Sequence, residues 1–256
     1  MRPYRHCLFL LLAAPLGLAA AAPIADVNVN VDLTPAGRKL ARPTPQRPAY
    51  YAPIIGGFHE EGDIPAGGPK PPPQDFVVHQ MAVALASQGY LVAGPSTPPP
   101  TLLLVFHWGS MNPEIDQGAD AGGVPAFPNE KRMLALVAGT TLSNLNPFTE
   151  RVDVIRDIQV DRYFAMVSAY DYAAAKQHKK IALWRAKMSM PSVGTELGAA
   201  IPSLVAAGAP FFGRETMTPE HVVKPLGRQD SVNLGETKFE DFPETKPKPA
   251  GQPKQP

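Results

Sequence analysis

The chain has 256 residues, 44% of them apolar, and its 24 basic and 23 acidic side chains nearly cancel to a formal charge of +1. This length and apolar content suffice for a buried core, and the near-neutral balance excludes the basic footprint of a nucleic-acid-binding protein. A single cysteine, Cys7, excludes a disulfide framework and a cysteine-built metal centre.

The first residues have the layout of a secretory signal: Arg2 and Arg5, then an apolar run from Leu8 to Leu18, then the small residues Ala19 to Ala22. This predicts a signal peptide over 1–22, cleavage near Ala22 and an exported, periplasmic or extracellular, soluble protein. Pro15 and Gly17 interrupt the apolar run, which is shorter than the roughly 20 residues of a membrane-spanning helix, so no transmembrane segment is expected in the mature chain. Cys7 precedes most of that run, the wrong side for lipidation. Losing Arg2 and Arg5 leaves 22 basic against 23 acidic residues, a net −1, and no cysteine. The mature core must then hold by burial alone. No Asn-x-Ser/Thr acceptor occurs, which fits a bacterial envelope protein better than a glycosylated ectodomain.

Proline separates flanks from core: of 31 prolines, seven lie between Thr101 and Gly213, so that interval should be packed. Residues 23–48 read as a flexible proline-rich arm, although the alternation in Val27 to Leu33 could form an edge strand. Ala49 to Ile55 predicts a strand ended by Gly56-Gly57, and Pro53 argues for an edge position. Over 74–88 the apolar spacing changes to that of a helix, with Val78, Met81, Ala82 and Leu85 on one stripe and Gly89 at C′. Tyr90 to Ala93 and Thr101 to Trp108 read as strands, the second buried. Asn129 has N-cap chemistry for a helix carrying Met133, Leu136 and Val137, and Thr149 for another reaching Asp157.

The stretch from Asp161 to Met190 is the organising centre. Arg162 to Tyr172 is rich in aromatic and β-branched residues, with Tyr163, Ala165, Val167 and Ala169 on one face and Phe164, Met166, Ser168 and Tyr170 on the other. Lys180 to Met190 alternates, with Arg185 and Lys187 on its wetter face. An antiparallel pair is the economical reading, joined by the basic turn Lys176, His178, Lys179 and Lys180. A helix over 194–208 buries Leu197, Ile201, Leu204 and Val205, with Pro202 kinking or restarting it. Residues 217–256 read as an extended, largely disordered tail. These elements predict one α+β domain over 49–216. Its expected architecture is a mixed or antiparallel sheet of about four to five strands with helices mainly on one face, between proline-rich flanks.

Leu85 to Tyr90, Leu102 to Trp108, Tyr163 to Asp171, Leu183-Trp184-Arg185 and Ala209 to Gly213 give the chain a resemblance to a family of uncharacterised secreted bacterial envelope proteins. More loosely, it resembles α/β domains of unknown function in periplasmic lipoproteins. The resemblance implies a soluble state, because the lipoprotein cysteine is missing, and brings no activity, cofactor or named partner.

Nucleotide-binding glycine loops, a Gly-x-Ser-x-Gly elbow and a His-Glu-x-x-His zinc motif are all missing from the sequence. His59, Glu60 and Asp63 carry metal-ligand chemistry, but their Gly-flanked setting favours a solvated turn. His107 closes an apolar strand, and Glu114, Asp116 and Asp120 follow in the loop 109–128, a pattern open to a general base oriented by an acid or to a metal. A hydrogen-bonded structural histidine is the competing reading. Tyr163, Tyr170, Tyr172 and Trp184 read as core before they read as a binding face. The expectation is therefore a non-enzymatic binding or scaffolding module of the envelope, with no cofactor and an unidentified envelope protein or polymer as partner. The alternative is a metal-assisted or acid/base hydrolase using His107 and the loop carboxylates, and the loop from Gly109 to Pro128 is the expected functional surface.

Overall fold

The computed structural model describes residues 23–63, 70–114, 128–139 and 144–226. Residues 1–22, where a signal peptide is expected, Asp116 and Asp120, and the residues beyond 226 lie outside them. The described elements are β1 (Ile24–Leu33), β2 (Ala49–Glu61), α1 (Gln74–Ser87), β3 (Tyr90–Val92), β4 (Leu102–Met111), α2 (Glu130–Val137), α3 (Glu150–Asp157), β5 (Arg162–Asp171), α4 (Tyr172–Lys176), β6 (Ala182–Pro191), α5 (Leu197–Gly208) and β7 (Glu220–Pro225).

One seven-stranded sheet runs β3-β2-β4-β5-β6-β1-β7. Strand β2 is parallel to β3 and β4, and every other pairing is antiparallel. The class is α+β, but the expected four to five strands are too few. The added strands come from the flanks. Ile24 to Leu33, set aside as part of a flexible arm, is β1, with Val27, Val29 and Val31 buried and Asn28 to Leu33 paired with β6. Residues 220–225, assigned to the extended tail, pair with β1 as β7. The alternation in β1 was visible in the sequence, but its partner lies more than 150 residues away, and local pattern carries no pairing information over that separation.

Helices were expected mainly on one face, and the structure places them on both. On the first face, α1 and α5 pack over Val27, Val29 and Val31 of β1, Leu104, Phe106 and Trp108 of β4, and Ala165 and Val167 of β5. On the opposite face α2 and α3 cover a smaller cluster of Met111, Met133, Leu136, Val137, Val154, Ile158 and Phe164. The two sets come from alternate positions of the same strands, as strand geometry requires. The helix stripes expected in α1, α2 and α5 are the buried ones: Val78, Met81 and Leu85; Met133, Leu136 and Val137; Leu197, Ile201, Leu204 and Val205. Gly89 ends α1 with φ +85°, the left-handed conformation that glycine adopts without a Cβ clash. Pro202 sits inside an uninterrupted α5 rather than restarting it. Among the described residues, no helix is long and apolar enough to cross a membrane.

Candidate functional site

A single extra residue in β2 decides what the second face of the sheet presents. Parallel register runs from Tyr51↔Leu102 to Ile55↔Phe106, then slips, so that Gly57 pairs with His107, His59 with Gly109 and Glu61 with Met111. Gly56 is the unpaired residue of this bulge. Because side chains alternate with period two, one inserted residue exchanges the faces of everything after it. Without the bulge His59 would share the face of Ile55 and point at the apolar core. With it, Phe58 packs on the core beside Trp108, and His59 joins His107 on the opposite face. The sequence reading ended this strand at Gly56-Gly57; it continues to Glu61.

The two imidazoles stack, with ring centroids 5.1 Å apart and planes inclined by 28°. His107 Nδ1 lies 3.4 Å from His59 Nε2, which is also 3.1 Å from the Gly56 carbonyl oxygen. Two glycines allow this approach. A Cβ on Gly56 would fall 2.5 Å from His107 Nε2 and Cε1, and one on Gly109 would fall 1.7 Å from the His59 carbonyl oxygen. His59 is exposed and His107 half-buried. Burial, the neighbouring His59 ring and the Arg185 charge all hold the His107 imidazole below its ordinary pKa, so it is neutral at neutral pH.

Beyond the histidines, the second face divides in two. Under α2 and α3 it is closed and carries buried charge. Lys187, nearly fully buried, bonds Asp32 Oδ2 at 2.7 Å and the Ala135 carbonyl of α2 at 2.5 Å, and burial lowers its pKa against the raising effect of Asp32. Asn30 Nδ2 donates to the Ala138 carbonyl at 2.8 Å, so β1 and β6 together hold the C-terminal end of α2. Arg162, equally buried, bonds Ser189 Oγ and the Asp157 carbonyl and pairs with the Asp157 carboxylate, fixing α3. Towards the other end, Leu103, Val105, Tyr170 and Asp32 are half-buried and Arg185 is exposed. Arg185 Nε donates to Ser168 Oγ at 3.1 Å, which sets the guanidinium at the rim of an open cleft of about 220 Å³ lined by Asp32, Thr34, Ser168, Tyr170, Ala182, Trp184 and Arg185.

The residues singled out in sequence separate accordingly. His107 does not close its strand, because β4 runs on to Met111. Its described ring partner is His59, and Glu114 is engaged instead at the backbone, its N–H donating to Asn129 Oδ1. Asn129, expected as a helix cap, makes no side-chain cap bond. Its amide donates to the Asn112 carbonyl, and Asn112 donates to the Asp63 carbonyl, so these two asparagines tie the ends of the described strands β2 and β4 to the start of α2. Trp108, immediately before the 109–128 loop, is part of the main core, and most of that loop lies outside the described residues. In the His59, Glu60 and Asp63 set, Glu60 alternates away from His59 along β2. No group of three or more His, Cys, Asp or Glu side chains suited to a metal ion occurs among the described residues. Tyr163 and Trp184 are core, Trp184 stacking on Phe212, whereas Tyr170 faces the cleft. The sequence reading missed Arg185, Ser168 and Asp32 as a set, because their proximity depends on the β5–β6 and β1–β6 registers.

No protein-family model matches the chain, and no curated protein does. Among solved structures it is similar to a PDZ domain protein from Parabacteroides distasonis, with a TM-score of 0.41 and 10% identity over 79% of this chain and 39% of that one. It is also similar to a PelC dodecamer from Paraburkholderia phytofirmans, with a TM-score of 0.30 and 12% identity over 70% of this chain and 92% of that one. For a point variant of that PelC dodecamer the TM-score is 0.32, with 11% identity over 73% and 97% of the two chains. These are distant likenesses of architecture and say nothing about the site.

Proposed function

We propose that this protein is an exported, non-enzymatic binding or scaffolding module of a bacterial cell envelope, and that it engages its partner through the open half of the second sheet face. One observation carries the reading. Helices α2 and α3 close one end of that face, while at the other end a cleft is lined by half-buried Tyr170 and by exposed Ala182 and Arg185, and Leu103 and Val105 of β4 lie half-buried on the same face. Apolar floor with a polar, arginine-bearing rim is the composition of interface patches. Arg185, already oriented by Ser168, suits a carboxylate or phosphate on the partner because a guanidinium presents paired donors. Export rests on the order of basic, apolar and small residues in 1–22.

In-cell crosslinking from a photoreactive residue replacing Leu103 tests the reading. The expected result is one dominant adduct on an envelope component, lost in Arg185→Glu and Tyr170→Ala but kept in Lys180→Glu, which changes the basic turn. An adduct that survives both cleft substitutions would move the interface elsewhere. A mature N-terminus read by mass spectrometry near Ala22 supports export; retained Met1 on envelope-located protein would remove that premise.

A further inference from the structure

The outer edge of β2 is paired over only a fraction of its length. β3 covers Ala49 to Tyr51, whereas β4 pairs with the other edge from Tyr51 to Glu61. On the β3 side the Ala49 N–H donates to the Gly89 carbonyl and the Tyr51 carbonyl accepts from Ala93. On the β4 side the Tyr50 and Glu61 carbonyls accept from Thr101 and Asn112. Alternation, shifted once by the bulge, therefore aims the peptide groups of Pro53, Ile55, Phe58 and Glu60 outward, where no described strand meets them. Side-chain burial tells the same story. Ile55 and Phe58 pack on the main core yet stay half-buried, while Phe106 and Trp108, their partners on β4, are buried. On the opposite face Ile54 is 45% exposed. Pro53 and Glu60 blunt the two ends of this edge, but its middle carries none of the charges that usually keep an edge strand from pairing.

We propose that the free edge of β2 pairs antiparallel with the same edge of a second copy of this chain, joining two seven-stranded sheets across a two-fold axis between Gly56 and Gly57. The outward positions 53, 55, 58 and 60 are symmetric about that point. Ile55 then meets Phe58 of the second copy and exchanges both amide bonds with it, and the two-fold repeats the pair. Glu60 donates to the carbonyl of Pro53, the one bond that proline leaves open in that pair. On the other face Ile54 lies against His59 of the second copy. The span fits as well. Glu61 of the second copy comes opposite Ala52, one residue short of Tyr51, where β3 begins to occupy the edge, and Gly62, with φ +88°, bends the chain at that place. No like charges meet, because Glu60 and Glu61 fall opposite Pro53 and Ala52. Any extended peptide could satisfy the backbone groups, but a contact that is its own complement in length and in the order of its apolar residues is the signature of an isologous dimer.

Mass in solution, read by light scattering or sedimentation, tests the proposal. The wild-type protein should have twice the mass of one chain, and Ile54→Glu, which sets a charge on the exposed side of the edge, should be a monomer with an unchanged circular-dichroism spectrum. A cysteine pair fixes the register and decides the matter even if Ile54→Glu folds poorly. The only native cysteine is Cys7, so a Cys7→Ser background is free of thiols. Positions 54 and 59 of opposite copies would form a non-hydrogen-bonded pair with Cα atoms about 4.5 Å apart, within disulfide reach. Within one chain they pair with Val105 and Gly109, four residues apart on β4 and so about 13 Å from each other, too far to bridge. Mild oxidation should therefore convert the Ile54→Cys, His59→Cys double variant to a covalent dimer and leave each single variant uncrosslinked. A monomeric wild type, a dimer that persists in a folded Ile54→Glu variant, or a double variant that does not crosslink would overturn the proposal. The cleft at Arg185 lies away from this edge, so the crosslink from position 103 and the dimer can fail separately.

Discussion

Removing Asp32 should destabilise the protein far more than removing Lys187, although the two form one ion pair. The Lys187 ammonium keeps 6% of its side-chain exposure and has two partners, Asp32 Oδ2 and the Ala135 carbonyl. Asp32→Ala leaves that charge buried with a single carbonyl, and breaking a buried pair from one side costs about 3 to 5 kcal/mol. The Asp32 side chain is 25% exposed, so water can reach part of the gap, and the lower end, about 3 kcal/mol, applies. Lys187→Met keeps the apolar stem, removes the charge that is expensive to bury, and leaves Asp32 partly hydrated. Its main loss is the bond to Ala135, worth about 1 kcal/mol. With a urea slope of about 2 kcal/mol/M for a domain of this size, the midpoints should fall by about 1.5 M and 0.5 M respectively. Urea unfolding followed by tryptophan fluorescence reads both, since Trp108 and Trp184 are buried. If Lys187→Met costs as much as Asp32→Ala, the pair is a net stabiliser and the account of its burial is wrong. The same pair clamps α2, so Asp32→Ala should also loosen the helix that bounds the open face.

Leu104, fully buried between Pro53 and Ala169 in the middle of the sheet, should not tolerate a charge: Leu104→Asp is expected to abolish the cooperative melting transition, while Lys248→Asp in the tail leaves it in place. A wild-type melting temperature in Leu104→Asp would mean that this strand is not core. His107 gives a pH signature. Its folded pKa lies below the ordinary 6.5, so the unfolded chain binds the proton first; stability is full above 6.5 and declines as pH falls through the depressed folded value. His107→Gln should flatten that limb of a stability profile between about pH 7 and 5. Screening keeps the change small because the ring is half exposed. An unchanged profile in His107→Gln would assign the limb to other groups.

Much of the architecture was legible because it is local. The helical stripes of α1, α2 and α5 and the two faces of β5 follow from spacing alone, and burial of Leu197, Ile201 and Leu204 or of Tyr163 and Ala165 adds nothing that periodicity had not required. What failed was non-local. β1, a ten-residue alternating run, and β7, six residues long, lie in proline-rich flanks, and the pairing of β1 with β6 and of β7 with β1 distinguishes them from extended linker. Lys187 illustrates the same limit in one side chain. Alternation placed it on the wetter face of β6, but α2, more than 50 residues earlier, lies over that end of the face and buries it.

The candidate site was misread for a reason that lies in one residue. Gly56-Gly57 looked like the end of a strand, since glycine weakens strands and punctuates them. Glycine inside a strand has a second meaning, the bulge, and the continuation Phe58-His59-Glu60-Glu61 holds the information that separates the two. If the strand continued without a bulge, His59 and Glu61 would face the core while Phe58 and Glu60 faced out. With one extra residue, Phe58 turns inward beside Trp108 and both His59 and Glu61 turn outward, a partition that hydrophobicity favours at both Phe58 and His59. A strand whose apolar parity reverses across a glycine pair therefore predicts a bulge, and the bulge brings together two histidines 48 residues apart in sequence. His59 and His107 were each weighed separately, one against nearby loop carboxylates and the other against its own acidic neighbours. Their chemistry lies in the pairing between strands, which the reversal of parity at Gly56 fixes.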